Sequence, residues 1–363
     1  MNFEPYDRPV RTAIIGLGRI YDLNIRGYRA NPDAEVVALV DPDPERRAQR
    51  QPDWPEAAVF GSVAELAASG VGVDAAESLL PAGLHADGVT EMLDCGWHVN
   101  AQKPMCNDLP SARRMLKAAE ANDRILRVMD NYLFYQPLHE LKAVIESGEI
   151  GDVAGYHVKM VGSGNGGWDF PWSAFEWQME QMKVGRGIMV FDDGWHKLSM
   201  ALWLFGPVRE VRAWIGTTTY GPGLAVDAPS MIAWEHENGI RGVWDTTVAP
   251  DMLLRSDYYT NDERWEVTGT KGFARVNRVT ARGIQQPSLE VYADGIMRGY
   301  HALDDDWGSS FAESGRHWLR LMRTGEGPLL WSGEEAVEVL RFALAAYESS
   351  AARGAGVDPR DVS

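Results

Sequence analysis

The sequence is poor in cysteine, in basic residues and in long apolar runs, and each shortage excludes a class of protein. Of its 363 residues only Cys95 and Cys106 are cysteines, and they lack CxxC spacing, so neither a disulfide framework nor a zinc site is expected. Lys and Arg number 35 against 52 Asp and Glu, a net charge of −17, which disfavours nucleic acid or an anionic membrane as partner. No run approaches the roughly 18 apolar residues of a membrane span.

The opening segment, MNFEPYDRPVR, also lacks the apolar core of a signal peptide. The composition is 45% hydrophobic and 24% charged, which is typical of a globular protein. We therefore expect a soluble cytoplasmic protein without a bound metal. The length predicts two domains.

Tryptophan is scarce in the first part of the chain. Only Trp54 and Trp97 precede residue 160, and the other twelve of the 14 follow it. Tryptophan is common in binding walls and subunit interfaces, so the skew predicts that the later part supplies both. The alternative is that these residues belong to a hydrophobic core.

The first part alternates strand and helix patterns. Short β-rich runs are separated by helical segments, and the runs cover residues 10–16, 35–40, 58–60, 73–80, 97–101 and 125–129. Such alternation predicts a parallel sheet with helices on both faces, joined by right-handed crossovers. The fold class predicted for residues 1–130 is therefore a doubly wound Rossmann domain that binds a dinucleotide.

The second part has the signals of an antiparallel sheet. Glu237–Gly239 and Asp294–Gly295 are turn sequences flanked by alternating runs, which predicts two hairpins. Helical patterns cover residues 137–147, 187–205, 311–323 and 334–351. We predict an α+β domain over residues 131–363, with a large, mostly antiparallel open sheet that binds substrate and pairs subunits.

A glycine turn follows the first strand. Gly16 permits a tight turn and Gly18 lets the backbone approach a pyrophosphate, although Tyr21 occupies the third glycine position of the usual motif. Asp41 ends the second strand, where a carboxylate accepts hydrogen bonds from a ribose 2′-OH and repels a 2′-phosphate. The pattern predicts NAD rather than NADP.

Two further segments carry candidate chemistry. Lys103 ends the fifth predicted strand, at the sheet edge where ligands bind. Asp192 and His196 are four residues apart in a predicted helix, so they share a face, and a carboxylate beside an imidazole suits a general base. The alternatives are a surface lysine and a helix-stabilising pair. Zinc lacks further ligands at a convincing spacing.

Together these segments resemble the Gfo/Idh/MocA family of NAD(P)-dependent sugar and polyol oxidoreductases. The resemblance spans nearly the whole chain. Its motifs, in chain order, are GLGRIY at 16–21, VDPDPERR at 40–47, LPAGLH at 80–85, QKP at 102–104, NYLFYQP at 131–137, GEIG at 148–151, Asp192 and His196 with LWLFG at 202–206, and TGTKG at 268–272.

The resemblance implies roles for individual residues. Lys103 contacts the nicotinamide ribose and the substrate hydroxyl, His196 accepts a proton, and Asp192 positions the histidine or the substrate. The residues implied in the cofactor cleft are Gly16, Gly18, Arg19, Ile20, Asp41, Leu80, Pro81, His85, Gln102, Lys103 and Asn131. This chain departs from the family pattern at Gln102, which replaces a glutamate, and at Leu80 and Ala82, which replace a threonine and an asparagine.

The expected function is NAD-dependent oxidation of a secondary alcohol or hemiacetal carbon in a sugar, polyol or inositol-like substrate. Residues near the catalytic helix are candidates for substrate contact, namely Trp168, Trp172, Trp177, Gln178, Lys183 and Asp193. The sheet of the second domain is expected to form a homodimer or homotetramer. Two other functions remain open: internal redox chemistry with retained NAD, as in a glycosidase or epimerase, and a non-catalytic NAD sensor.

Overall fold

Two compact units make up the chain. The computed structural model describes residues 3–168, 172–221 and 224–363, and for residues 172–175 and 220–221 it describes only the backbone. One unit comprises Met1–Asn131 and Gly308–Leu340, and the other comprises Tyr132–Trp307 and Arg341–Ser363.

The first unit contains the predicted parallel sheet. Its six strands are β1 Val10–Ile15, β2 Ala34–Val40, β3 Ala58–Phe60, β4 Ala75–Ser78, β5 His98–Gln102 and β6 Leu126–Met129. They are ordered β3-β2-β1-β4-β5-β6, and every pair is parallel. The strand order reverses beside β1, so the carboxyl ends of β1 and β4 flank the crevice where such sheets bind ligands. The predicted Rossmann fold is confirmed.

Polar side chains begin three of the helices that cover this sheet. Asp43, Ser62 and Asp108 each accept a hydrogen bond from a backbone N–H in the first turn of the following helix. Each side chain thereby satisfies a donor that the helix itself leaves unpaired. The helices are α1 Tyr21–Asn24, α2 Pro44–Arg50, α3 Val63–Ala68, α4 Ala82–Asp94 and α5 Leu109–Ala121.

The helix after the glycine turn is short. It ends at Asn24, and a 3₁₀ turn covers Ile25–Gly27. The backbone comes close to a later helix here, since a Cβ on Gly27 would lie 2.7 Å from the Ala312 carbonyl oxygen. A side chain at Gly27 would therefore collide with that helix.

The second unit contains an eight-stranded mixed sheet. Its strands are β7 Val153–Asn165, β8 Val208–Ile215, β11 Ser230–His236, β12 Arg241–Leu253, β13 Asn261–Gly269, β14 Gly272–Asn277, β15 Leu289–Ala293 and β16 Ile296–Tyr300, while β9 Thr218–Gly221 and β10 Leu224–Val226 pair separately. The order is β16-β15-β14-β13-β7-β12-β11-β8, and the β7–β12 pair is parallel. Both predicted hairpins, β11–β12 and β15–β16, are confirmed.

One face of this sheet is buried and the other is exposed. On β7, Tyr156, Val158 and Met160 are buried, whereas His157 and Lys159 between them are exposed. Trp244 and Trp265 on the neighbouring strands are fully buried. The alternation is the one expected of a sheet with a single core-facing side.

The helices of the second unit include one that differs from its prediction. They are α6 Gln136–Glu146, α7 Trp172–Lys183, α8 Gly194–Phe205 and α9 Thr280–Gly283. The sequence predicted a single helix over 187–205, but a π-helix over Ile188–Asp193 precedes α8. Short π-helical turns inside helices often mark functional sites.

The last two helices are assigned to the units in a way that the sequence did not predict. They are α10 Trp307–Thr324 and α11 Gly333–Ala351, and the sequence placed both in the second domain. The structure groups Gly308–Leu340 with the first unit, because Trp318 and Met322 of α10 pack in a core cluster with Val10 of β1. Across the described ranges, no helix combines the length and apolar character needed to cross a membrane.

Candidate active site

Gly16 and Gly18 shape the turn between β1 and α1. Gly16 has φ +90°, and a Cβ there would lie 2.9 Å from the Leu79 carbonyl oxygen, so only glycine fits. A Cβ on Gly18 would meet no atom closer than Nη1 of Arg46, at 4.0 Å. The backbone at Gly18 is therefore accessible, as the pyrophosphate of a dinucleotide requires.

Asp41 closes this turn from the end of β2. The residue is buried; its Oδ2 accepts the Leu17 N–H at 2.8 Å and its Oδ1 accepts the Asp43 N–H at 2.9 Å. Nη1 of Arg46 lies 3.8 Å from Oδ2. The carboxylate thus holds the glycine turn in place, and its remaining lone pairs are available to a ribose hydroxyl. These residues fit the predicted NAD site.

His85 connects two loops at the carboxyl edge of the same sheet. The ring is fully buried, with Nε2 2.7 Å from the Leu80 carbonyl oxygen and Nδ1 2.8 Å from the Pro104 carbonyl oxygen. The segment with Leu80 and Pro81 is thereby fixed beside the one with Lys103. The sequence placed Leu80, Pro81, His85 and Lys103 in the cofactor cleft. The structure brings their loops together.

Two other predicted cofactor residues are buried in polar contacts. Gln102 donates to Oδ1 of Asn24 at 2.8 Å, and Asn131 donates to Oγ of Ser310 at 2.8 Å. Both side chains therefore brace the unit around the site. Arg19 and Ile20 lie half-buried in the glycine turn.

In the second unit, the π-helix carries Asp192 at its end and α8 carries His196. Asp227 anchors the start of the π-helix, because its carboxylate accepts the Met189 N–H at 2.7 Å and the Val190 N–H at 2.9 Å. Tyr347 donates to the same carboxylate at 2.8 Å. Burial raises the pKa of Asp227, although these hydrogen bonds act in the opposite direction.

His196 is buried and stacks on an aromatic ring. Its ring centroid lies 4.3 Å from that of Tyr132, with 15° between the ring planes. The sequence did not single out Tyr132, although it lies in the NYLFYQP motif. A buried imidazole held on an aromatic face has the fixed orientation that a general base needs.

The predicted substrate residues fall into different surroundings. Trp168 packs edge-on against Tyr258 and Tyr259, and both tyrosines also contact the Trp307 ring. The side chain of Trp172 lies outside the described residues, Trp177 is half-buried and Gln178 is buried.

The two charged substrate candidates have protein partners. Lys183, which is exposed, pairs with Glu180 at 2.5 Å. Oδ2 of Asp193 pairs with Nζ of Lys197 at 2.7 Å, and its Oδ1 accepts from Asn261. Asp193 is thus part of an internal ion network. Within the described ranges, no group of three or more His, Cys, Asp or Glu side chains could hold a metal ion.

Sequence reasoning missed Glu263 and Arg278, which complete that network. A signal was present for Glu263, because it takes the inward position of β13 two residues before the buried Trp265. A charge at an inward strand position implies a buried partner. The partner, Arg278, follows β14 and has no comparable signal.

Known proteins resemble this chain in sequence and in fold. Residues 10–130 match a family model described as an oxidoreductase family with an NAD-binding Rossmann fold, and residues 138–275 match the GFO/IDH/MocA C-terminal domain. The chain is 32% identical to dTDP-3,4-didehydro-2,6-dideoxy-alpha-D-glucose 3-reductase of Actinomadura kijaniata, over 89% of this chain and 91% of that protein.

D-apiose dehydrogenase of Rhizobium rhizogenes is 25% identical, over 96% of this chain and 97% of that enzyme. A crystal structure of an oxidoreductase from Agrobacterium radiobacter, in complex with NAD⁺, L-tartaric acid and magnesium, has a TM-score of 0.79 at 22% identity. It covers 97% of this chain and 98% of its own. That likeness supports the fold.

Proposed function

The chain belongs to the Gfo/Idh/MocA family of NAD-binding oxidoreductases, and from that premise we propose that it oxidises a hydroxyl of a sugar, polyol or inositol-like substrate. The observation that carries this proposal is the buried, stacked imidazole of His196 in a chain that also holds the glycine turn and Asp41. The relatives named above as a sugar dehydrogenase and a sugar-nucleotide reductase support the substrate class.

The reaction needs a proton acceptor and a group that orients the reacting oxygen. An imidazole nitrogen of His196 takes the proton of the substrate hydroxyl, and general-base help of this kind is worth about 10²–10⁴-fold in rate. The Lys103 ammonium donates a hydrogen bond to the same oxygen and stabilises alkoxide character as it develops. Asp192 orients the histidine or the substrate. NAD⁺, when bound, supplies the hydride acceptor.

The aromatic residues around Trp168 form the proposed substrate wall. Trp168, Tyr258, Tyr259 and Trp307 come together from three segments of the second unit. Asn261 follows this group on β13 and donates to Asp193, three residues before His196. The wall thus adjoins the catalytic helix, and aromatic faces there suit the apolar face of a sugar ring.

Cofactor choice and substrate class can be tested in one screen. NAD⁺ reduction is followed at pH 8 across aldoses, inositols, uronates and glycosides, with NADP⁺ as the matched cofactor. We expect steady release of NADH with at least one neutral sugar or polyol, and a preference for NAD⁺ because Asp41 repels a 2′-phosphate.

Other outcomes of the screen contradict the proposal. A strong preference for NADP⁺ overturns the role of Asp41. A single turnover that leaves reduced cofactor on the protein favours internal redox chemistry, and NAD⁺ binding without reduction of any substrate favours a sensor.

We propose further that a second copy of the chain covers the exposed face of the eight-stranded sheet, giving a homodimer or homotetramer in the cytoplasm. The face mixes apolar side chains such as Met231 and Trp214 with neighbouring opposite charges such as Glu235 and Arg241. An isologous pair can match such a face with itself.

A further inference from the structure

Ionised side chains surround the phenol of Tyr132, the residue on whose ring His196 stacks. The phenol of Tyr132 donates to Oε2 of Glu263 at 3.0 Å and accepts a hydrogen bond from Arg278. The other carboxylate oxygen of Glu263 accepts from Nε1 of Trp265 at 2.5 Å. The phenol is therefore held at a fixed place, and so is the ring plane against which the imidazole rests.

Lys197 extends this network to the helix that carries His196. Its Nζ lies 3.0 Å from Oε2 of Glu263 and 2.7 Å from Oδ2 of Asp193, and its side chain is fully buried. Arg278 pairs with Glu263 at 3.2 Å. The Lys197 and Arg278 charges each lie 5.2 Å from the centre of the Tyr132 ring.

These groups keep their charges despite burial. Burial raises the pKa of Glu263, but the Lys197 and Arg278 charges and the Trp265 hydrogen bond outweigh it and lower the pKa to about 2. Burial lowers the pKa of Lys197, but Asp193 and Glu263 outweigh it and raise the pKa above the ordinary value. Two cations and two anions therefore surround the phenol, and their charges cancel.

We propose that a set of five residues, here called the His196 platform, positions the imidazole of His196. Its members are Tyr132, Asp193, Lys197, Glu263 and Arg278. Because their charges sum to zero, they also keep the pKa of the imidazole in the range in which it can accept a proton. These are positioning residues, and the inference rests on the proposed role of His196 as proton acceptor. Asp192, four residues before His196 in the sequence, and Lys103, which takes part in the proposed reaction, remain unchanged in the test below.

Two substitutions of opposite sign test the platform. Asp193→Asn leaves a net positive platform, which disfavours imidazolium, so the acidic limb of the kcat/KM pH profile should move to lower pH. Lys197→Met leaves a net negative platform, so the same limb should move to higher pH. Each shift should be roughly 0.5–1 pH unit, as expected for a nearby charge that is partly screened.

A matched pair on another helix is the control. Lys142 and Glu146 form an i,i+4 ion pair on α6, as Asp193 and Lys197 do at the start of α8. Lys142→Met and Glu146→Gln should leave the acidic limb in place. If Lys197→Met does not accumulate as folded protein, Arg278→Met removes the other positive charge and carries the same expectation.

A titration of the His196 ring resonances by NMR, without substrate, reads the same shifts directly. Shifts of opposite sign in the two variants support the platform. An acidic limb that stays in place, or moves in the same direction in both, overturns it. If His196→Ala keeps parental turnover, the proposed function itself is wrong. That result differs from an acidic limb that stays in place, so a failure of the platform and a failure of the proposed function are distinguishable.

Discussion

Gly16 and Gly18 belong to one turn but meet different surroundings. A side chain at Gly16 would collide with backbone and would need φ +90°, whereas one at Gly18 would meet only the tip of Arg46. The first glycine is thus required by the fold, and the second is required only by a ligand that approaches the backbone.

We therefore expect Gly16→Ala to lower stability and Gly18→Ala to weaken cofactor binding. Gly16→Ala should lower the free energy of unfolding by about 1–3 kcal/mol, because alanine is strained at that φ. Gly18→Ala should leave thermal unfolding of the free protein nearly unchanged but weaken NAD⁺ binding at least tenfold. Calorimetry without cofactor and fluorescence titration with NAD⁺ measure the two effects. Equal losses of stability in both variants would contradict this distinction.

Residues of the site were predictable where the pattern is local. Gly16 and Asp41 belong to one strand–helix–strand unit, so their spacing in the sequence predicts that they lie close together. Tyr132 and Glu263 are 131 positions apart, and Arg278 comes from a third segment. No local pattern encodes such a meeting, and only the inward position of Glu263 signalled it.

At the scale of elements, periodicity predicted the strands and hairpins but missed the π-helix. Alternation of apolar and polar residues, with Asn-Gly and Asp-Gly turns, determines a hairpin locally. The π-helix over Ile188–Asp193 depends instead on Asp227, which lies far along the chain and binds its first N–H groups. A Cβ on Gly194 would also lie 2.7 Å from the Trp244 ring, so the helix approaches the sheet closely there.

The anchor at Asp227 gives a prediction for this element. Asp227→Asn keeps the shape but removes a charged acceptor, so two N–H groups and the Tyr347 hydroxyl lose their best partner. We expect a loss of about 1–3 kcal/mol in unfolding free energy and a lower kcat, with NAD⁺ affinity unchanged.

Tyr347→Phe is the matched comparison, because it leaves the Asp227 carboxylate in place and removes the Tyr347 hydroxyl, which donates to Asp227 and accepts the Gly187 N–H at 3.0 Å. It should cost about 0.5–1.5 kcal/mol. Chemical denaturation and steady-state kinetics measure both variants. If Asp227→Asn is as stable and as active as the parent, the anchor does not hold the helix of His196 in place.

At the scale of the whole molecule, the tryptophan skew has a different main cause from the predicted one. Trp195, Trp244 and Trp265 are fully buried in the second unit, and Trp318 is fully buried in the first. Trp168 lies in the proposed wall and Trp214 on the exposed sheet face. Composition identified the region that needs large apolar side chains, but it could not separate core from surface.

The exposed sheet face gives a prediction about assembly. Met231→Glu places a charge among the apolar side chains of the face that the second copy would cover, so the molar mass measured by light scattering should fall toward that of a monomer. Ile284→Glu is the control, since Ile284 is more exposed and lies outside the sheet. A parental protein that is monomeric at micromolar concentration would contradict the proposed dimer or tetramer.

The most direct test of His196 as the proton acceptor is the turnover of His196→Ala with the best substrate from the NAD⁺ screen, measured beside Lys142→Ala. We expect His196→Ala to bind NAD⁺ with parental affinity while kcat falls by about 10²-fold or more, and Lys142→Ala to keep parental kcat. A His196→Ala protein whose kcat stays within a few-fold of the parent would contradict that role of His196.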